Sequence, residues 1–210
     1  MLKLIVLDCD GVMFDSRDAN SMYYNDLLAR FDCPPMSDED EAMVFMLNVT
    51  DSVEHIFRNY PAVDIAAVHE YRNSRNYGDY LPYMKMEADL VEFLDYCSPR
   101  FKLAISTNRT NTMHPLLEAH NLTSYFQLVV TALDVERPKP APDALEKILS
   151  FFNLTPDETI FIGDSIVDSQ HARSMNVPII GFKSEDLPAD YHVKSFMEIL
   201  DLPPLLEAVK

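Results

Sequence analysis

Four short stretches of this chain carry residues that could do chemistry. They are Asp8-Cys9-Asp10-Gly11, Ser106-Thr107-Asn108-Arg109, Arg137-Pro138-Lys139-Pro140-Ala141-Pro142 and Gly163-Asp164-Ser165-Ile166-Val167-Asp168. Together they supply carboxylates, a hydroxyl, a lysine and free backbone amides. Carboxylates brought close repel and shift one another's pKa unless a cation or a shared proton intervenes. The set suits phosphoryl transfer, which needs an in-line nucleophile, neutralisation of the equatorial oxygens and a proton for the leaving group. A carboxylate can be that nucleophile and become an aspartyl-phosphate. Magnesium takes a few carboxylates plus water and phosphate oxygens, and would make a cluster of acids receptive to an anion. Thr107, nearby amides and the Lys139 ammonium can hold phosphate oxygens. Alone, the first two also read as turns after a strand, Lys139 as a surface-loop lysine and Asp168 as part of an exposed helix face. The expectation rests on all four together.

The elements that must position them follow from the apolar pattern. Leu2-Lys3-Leu4-Ile5-Val6-Leu7 reads as a buried strand that delivers Asp8 and Asp10 to its C-terminal end, the edge where open α/β sheets bind ligands. From about Met86, helix and strand alternate. A helix near 88–97 precedes a strand at 101–106, and a helix near 113–120 precedes a strand at 126–131. A helix opening at Pro142 runs to about Phe152, and Thr159-Ile160-Phe161-Ile162 is a strand ending in Gly163-Asp164. A helix over 166–175, a strand over 177–182 and a capping-box start at Ser195-Phe196-Met197-Glu198 complete the pattern. This alternation predicts an α/β fold, a doubly wound, mainly parallel, Rossmann-like sheet with right-handed crossovers. The first, second and fourth stretches then emerge on one edge, with the third in a loop that can reach it.

Residues 17–80 break the alternation and read as helices only. Met22, Leu27, Leu28 and Phe31 recur at roughly helical spacing after a cap at Asp15 or Ser16, and Pro34-Pro35 ends that helix. Ser37-Asp38-Glu39-Asp40-Glu41 looks like a solvated first turn with acids at the positive end of the helix dipole, followed by Met43, Phe45, Met46 and Leu47. Further helical stretches follow Asp51 and Pro61, and 77–82 is a break. The expected division is a catalytic core of residues 1–15 and 84–210 with an all-helical insert at 16–83.

The formal net charge of −17 argues against nucleic acid and anionic membranes as partners. Any phosphorylated substrate must then meet positive charge supplied locally. Cys9, Cys33 and Cys97 are odd in number and widely spaced, which fits a reducing compartment. The apolar run before Asp8 is too short for a signal-peptide core or a membrane span, so a cytoplasmic location is expected. Of only four glycines, Gly11 follows Asp10 and Gly163 precedes Asp164, where a close approach of backbone would matter.

With these motifs in this order the chain resembles the haloacid dehalogenase superfamily, in its phosphoglycolate phosphatase and β-phosphoglucomutase-like branch, which carries a helical cap after the first strand. The resemblance covers essentially the whole chain. It implies Asp8 as nucleophile, Asp10 as general acid/base, Thr107 as a phosphate-binding hydroxyl and Lys139 as the clamp on phosphate and nucleophile. It implies a magnesium ion held by Asp8, the Asp10 carbonyl and Asp164, with Asp168 supporting the metal's water shell. Gly11, Asn108 and Arg109 join Thr107 and Lys139 as candidate phosphate or substrate contacts. The cap would close over the site and select the leaving group. Val12 stands where many relatives have threonine, and Glu87-Ala88-Asp89 lacks a glycine common there.

The expected function is therefore a magnesium-dependent phosphatase acting on a small phosphorylated metabolite, as a monomer or homodimer. A phosphosugar mutase using the same intermediate is the alternative; a dehalogenase fits less well because of Asp10. A non-catalytic metal- and phosphate-binding regulator is the rival from another class. His171 reads as a helix-surface histidine and Cys9 as a packing residue. Tyr23, Tyr24, Arg72 and Arg75 read first as core or surface residues of the insert, and second as substrate contacts.

Overall fold

The computed structural model describes residues 1–44, 47, 49–75 and 77–208. The chain divides into two compact units, Met1–Asp15 with Met86–Lys210, and Ser16–Lys85. The first unit is built on a six-stranded parallel sheet. Its strands are β1 (Leu4–Leu7), β4 (Lys102–Ser106), β5 (Leu128–Val130), β6 (Thr159–Gly163), β7 (Ile179–Phe182) and β8 (Tyr191–Val193), in the order β5-β4-β1-β6-β7-β8. Two-residue strands β2 (Phe14–Asp15) and β3 (Lys85–Met86) flank the insert in sequence.

The central strands are continuous apolar runs because both faces of the sheet are covered. Leu4, Val6, Ala104, Val130 and Phe161 share one buried cluster with Ala144, Leu145, Ile148 and Leu149 of α7 (Asp143–Phe152). The alternate residues Ile5, Leu7, Leu103, Ile105, Ile160 and Ile162 are equally buried on the opposite face. There Phe93 of α5 (Leu90–Cys97) and Phe182 of β7 stack against Phe196 at 5.1 and 4.6 Å between ring centres. Each such fully buried side chain contributes about 1.5–3 kcal/mol.

Two features of the sheet place the site. Leu7 pairs with Ile105 on one side and Ile162 on the other, so β1, β4 and β6 end within one residue of each other. The chain also runs from β1 outward through β4 to β5, then crosses back to continue on the other side at β6. That reversal about β1 is a topological switch point, where the loops diverge and leave a crevice. Helices α6 (Met113–Ala119), α8 (Ile166–Ser174), α9 (Phe196–Ile199) and α10 (Pro203–Ala208) complete this unit.

The second unit is helical: α1 (Arg17–Arg30), α2 (Asp38–Val44), α3 (Val49–Phe57), α4 (Ile65–Ser74) and a 3₁₀ turn at Tyr77–Tyr83. Its core gathers Leu27, Leu28, Val53, Ile56, Phe57 and Val68. Tyr23 and Tyr24 are buried, with Tyr23 edge-on to Tyr80 at 5.4 Å. Arg72 and Arg75 are half-buried. In the acidic first turn of α2, Asp38 and Glu39 are exposed as expected, but Asp40 is drawn in. Asp40 accepts from Arg58 Nη1 at 2.7 Å and meets His55 Nε2 at 3.1 Å, which folds α3 back onto α2. Phe45 and Met46, expected in that helix, lie outside the described residues.

Other departures are local. Ser16 sits at the start of α1 but its side chain makes no capping bond. Pro142 occupies the cap position of α7 rather than its first turn. At Ser195 only half the predicted box forms: Ser195 Oγ accepts from Glu198 N–H, while Glu198 Oε2 accepts from Lys194 N–H. Strand β8 has no counterpart in the sequence reading. Among the described residues no helix is long and apolar enough to cross a membrane.

Candidate active site

Asp8 leaves β1 with its N–H still bonded to Ile162 C=O at 2.9 Å, so the nucleophile candidate is the first residue past the paired sheet. Gly163-Asp164 leaves β6 beside it. The turn then enters α8 through a capping box: Ser165 Oγ accepts from Asp168 N–H, and Asp168 Oδ2 accepts from Ser165 N–H at 3.2 Å and Ser165 Oγ–H at 2.6 Å. This leaves Asp168 Oδ1 to take Lys139 Nζ at 2.6 Å. One carboxylate thus closes the helix end and anchors the lysine. The same Nζ lies 2.8 Å from Asp8 Oδ1, and Lys139 and Asp168 are only 3% and 0% exposed.

Glycine permits this crowding at two places. A Cβ on Gly163 would stand 2.4 Å from Asp168 Cβ. Gly11 has φ +78°, and a Cβ there would stand 1.9 Å from Asp164 Oδ2. The loop after β1 therefore lies directly against Asp164, and its turn is closed by Gly11 N–H to Phe14 C=O at 2.8 Å.

The loop bearing Lys139, which has a cis Lys139–Pro140 bond, is tied to the neighbouring strand end twice. Asn108 Nδ2 donates to Lys139 C=O at 3.0 Å. His171 bridges Ala141 C=O through Nδ1 at 2.7 Å and Ser106 Oγ through Nε2 at 3.0 Å. His171 is fully buried, which corrects its reading as a helix-surface residue. It stands three residues after Asp168 in α8, so both share the face turned to the sheet. That spacing, and the Ser165-x-x-Asp168 pattern, were the available signals for roles the sequence reading missed.

Asp8, Asp164 and Asp168 offer carboxylate oxygens all within 4.8 Å of one another. Burial pushes Asp8 up to about 7 against the pull of Lys139. Burial together with the charges of Asp8 and Asp168 pushes Asp164 up to about 8. Asp168 is shifted the other way: burial is outweighed by Lys139 and the Ser165 hydrogen bonds. Burial likewise works against the Lys139 ammonium, but Asp168 and Asp8 raise its pKa above the ordinary value. Asp8 Oδ1 is buried and, despite its approach to Lys139, has no aligned hydrogen-bond donor. Three hard oxygen donors, one of them the Asp8 carboxylate with its unaligned Oδ1, fit a small divalent cation, and the Lys139 ammonium offsets part of the remaining negative charge.

The remaining candidates lie around this cluster. Thr107 is buried at the end of β4, its N–H bonded to Val130 C=O and its Oγ1 accepting from Arg109 N–H at 3.1 Å. Cys9 is buried, and burial holds its thiol well above the usual range, as expected of a packing residue. The Asp10 carboxylate is not one of the three that cluster; it pairs with Arg109, at 3.1 and 2.5 Å. Of the predicted set, Asp8, Lys139, Asp164 and Asp168 meet directly, Gly11 packs on Asp164, and Asn108 and Arg109 contact site residues.

The family model described as haloacid dehalogenase-like hydrolase matches residues 5–182. Phosphoglycolate phosphatases of Salmonella paratyphi A and Escherichia coli K12 are each 36% identical over 80 residues, which is 38% of this chain and 32% of theirs. The match thus spans about a third of those curated relatives. A solved haloacid dehalogenase-superfamily hydrolase of subfamily IA from Geobacter sulfurreducens is 34% identical, with a TM-score of 0.85 over 95% of both chains. A β-phosphoglucomutase from Clostridium difficile, 17% identical over 100% of this chain and 99% of its own, shares the fold with a TM-score of 0.76. This chain belongs to the haloacid dehalogenase-like hydrolase family.

Proposed function

We propose that the protein is a magnesium-dependent phosphatase acting on a small phosphorylated metabolite. The observation that carries the reading is the buried Lys139 ammonium between Asp8 and Asp168, with Asp164 alongside. An acidic chain has here assembled one cation and three carboxylates at a sheet switch point. The partial similarity to phosphoglycolate phosphatases supports a small phosphate ester as substrate.

In this reading Asp8 attacks phosphorus, forming an acyl-phosphate while the bond to the leaving alcohol breaks. Asp10 gives its proton to the departing oxygen, then takes a proton from the water that attacks the same phosphorus. Inorganic phosphate leaves and Asp8 is restored. Lys139 balances charge on Asp8 and on the phosphate oxygens, and the Thr107 hydroxyl donates to one of them. Asp8, Asp164 and the Asp10 carbonyl would hold magnesium, with Asp168 supporting its waters; bound there, the ion offsets negative charge on the phosphoryl group. Residues 1–15 with 84–210 form the catalytic domain and 16–83 the insert, a division supported by the two compact units.

The test is release of inorganic phosphate from an aryl phosphate and a panel of phosphorylated metabolites, with and without magnesium. Magnesium-dependent release is expected. Isomerisation of a hexose 1-phosphate without release would make the protein a mutase, and no turnover on any compound would make it a binding protein.

A further inference from the structure

Asp10 has a cation of its own, separate from Lys139. Arg109 Nε donates to Asp10 Oδ2 at 3.1 Å and Nη2 to Oδ1 at 2.5 Å, so the guanidinium grips both carboxylate oxygens. The arginine is the fixed partner. Its side chain is 6% exposed against 37% for Asp10. Its Nη1 donates to Thr112 Oγ1 at 3.1 Å, its N–H to Thr107 Oγ1 at 3.1 Å, and its C=O accepts from Ala132 N–H at 3.1 Å. The pair also ties the loop after β1 to the loop after β4, adjacent strands of the sheet.

We infer that Arg109 is a positioning residue that fixes the plane and direction of the Asp10 carboxylate, and not a substrate ligand. The inference rests on reading Asp10 as the proton carrier. A half-exposed aspartate on a tight loop has two free side-chain torsions, and proton transfer is sensitive to misplacement of about 1 Å. A two-point guanidinium fork removes both torsions at once, which a single ammonium cannot do, and it uses one lone pair of each oxygen, so the second can still carry the proton. Arg109 therefore acts on turnover through Asp10 and has little separate effect on substrate affinity.

A double-mutant cycle reads this directly. Arg109→Gln should lower kcat about tenfold with KM nearly unchanged, and Asp10→Asn should lower kcat by about 10²–10⁴. The double variant should match Asp10→Asn within about twofold, because the arginine has lost what it positions. Arg109→Lys, which keeps the buried charge and so protects folding, should show the same lost coupling. Multiplying losses in the double variant, or a raised KM at unchanged kcat, would overturn the inference and make Arg109 a substrate contact. A second arm needs no turnover: the Arg109 Nε–H resonance in ¹⁵N-edited spectra should move on Asp10→Asn, and an unmoved signal would overturn the pairing. Failure of wild-type protein to release phosphate sinks the phosphatase reading itself, and the spectrum still judges the pair.

Discussion

Asp8 Oδ1 and Lys139 Nζ lie 2.8 Å apart in a buried setting, yet outside hydrogen-bond alignment. The ammonium is aligned on Asp168 instead, so among the described residues this Asp8 oxygen has a close cation and no aligned donor. Such an oxygen suits the attacking role proposed for Asp8. Asp8→Asn is expected to abolish turnover and any acid-stable phospho-enzyme label from ³²P substrate. Wild-type rates in that variant would remove Asp8 from the chemistry.

Lys139→Met leaves Asp168 and Asp8 without their cation in a dry environment. Breaking a buried pair in this way costs about 3–5 kcal/mol. Urea unfolding should show that loss without magnesium and a smaller one with saturating magnesium, while magnesium-dependent phosphate release disappears.

The raised carboxylates give the metal-free protein a defined pH dependence. Asp8 at about 7 and Asp164 at about 8 keep protons in the folded state at pH values where the unfolded chain has lost them. Folding takes up protons in that window, so stability falls as pH rises from about 4 through about 8. A divalent cation bound there would replace those protons. Thermal unfolding should therefore show magnesium stabilising the protein more at pH 8.5 than at pH 6, and equal shifts would count against the site.

His171 imposes the opposite slope lower down. Burial holds it at about 4, below its ordinary 6.5, so the folded chain resists the proton that the unfolded chain accepts. Its contribution is whole above about 6.5 and is lost as pH falls toward 4, by at most about 3 kcal/mol. Comparing unfolding of wild type and His171→Gln between pH 7 and pH 4.5 isolates it, since the variant lacks this slope while the carboxylate slope persists.

Gly11→Ala should act on the metal rather than on the sheet. The new methyl meets Asp164 Oδ2 at 1.9 Å on a backbone of φ +78°, so Asp164 must turn away. The magnesium concentration for half-maximal activity should rise about 10–100-fold, measured by titration of the chelated enzyme.

How far the residues themselves announced this arrangement depends on what kind of interaction was involved. Leu4–Leu7 and Thr159–Gly163 were readable as buried strands because an unbroken apolar run has few other uses in a chain of this length. The meeting of Asp8, Asp164, Asp168 and Lys139 followed from strands ending at one edge. Tyr191–Val193 escaped because three residues of mixed polarity at the sheet margin carry no periodic signal. His171 was misread for another reason, and the pairing of Arg109 with Asp10 went unforeseen for the same one. Their partners, Ser106, Ala141 and Asp10, are distant in sequence, and a polar residue's type does not reveal whether folding will give it a partner. Asp40 is a parallel case in the insert, where an acidic run concealed one carboxylate drawn in by Arg58 and His55.

The double duty of Asp168 joins two events that are usually separate. Its Oδ2 closes the first turn of α8 while its Oδ1 secures Lys139, so unravelling that single turn also unseats the ammonium. On heating, inactivation should run ahead of the melting of the sheet, and the working temperature limit of the protein is then set by a few residues at one helix end.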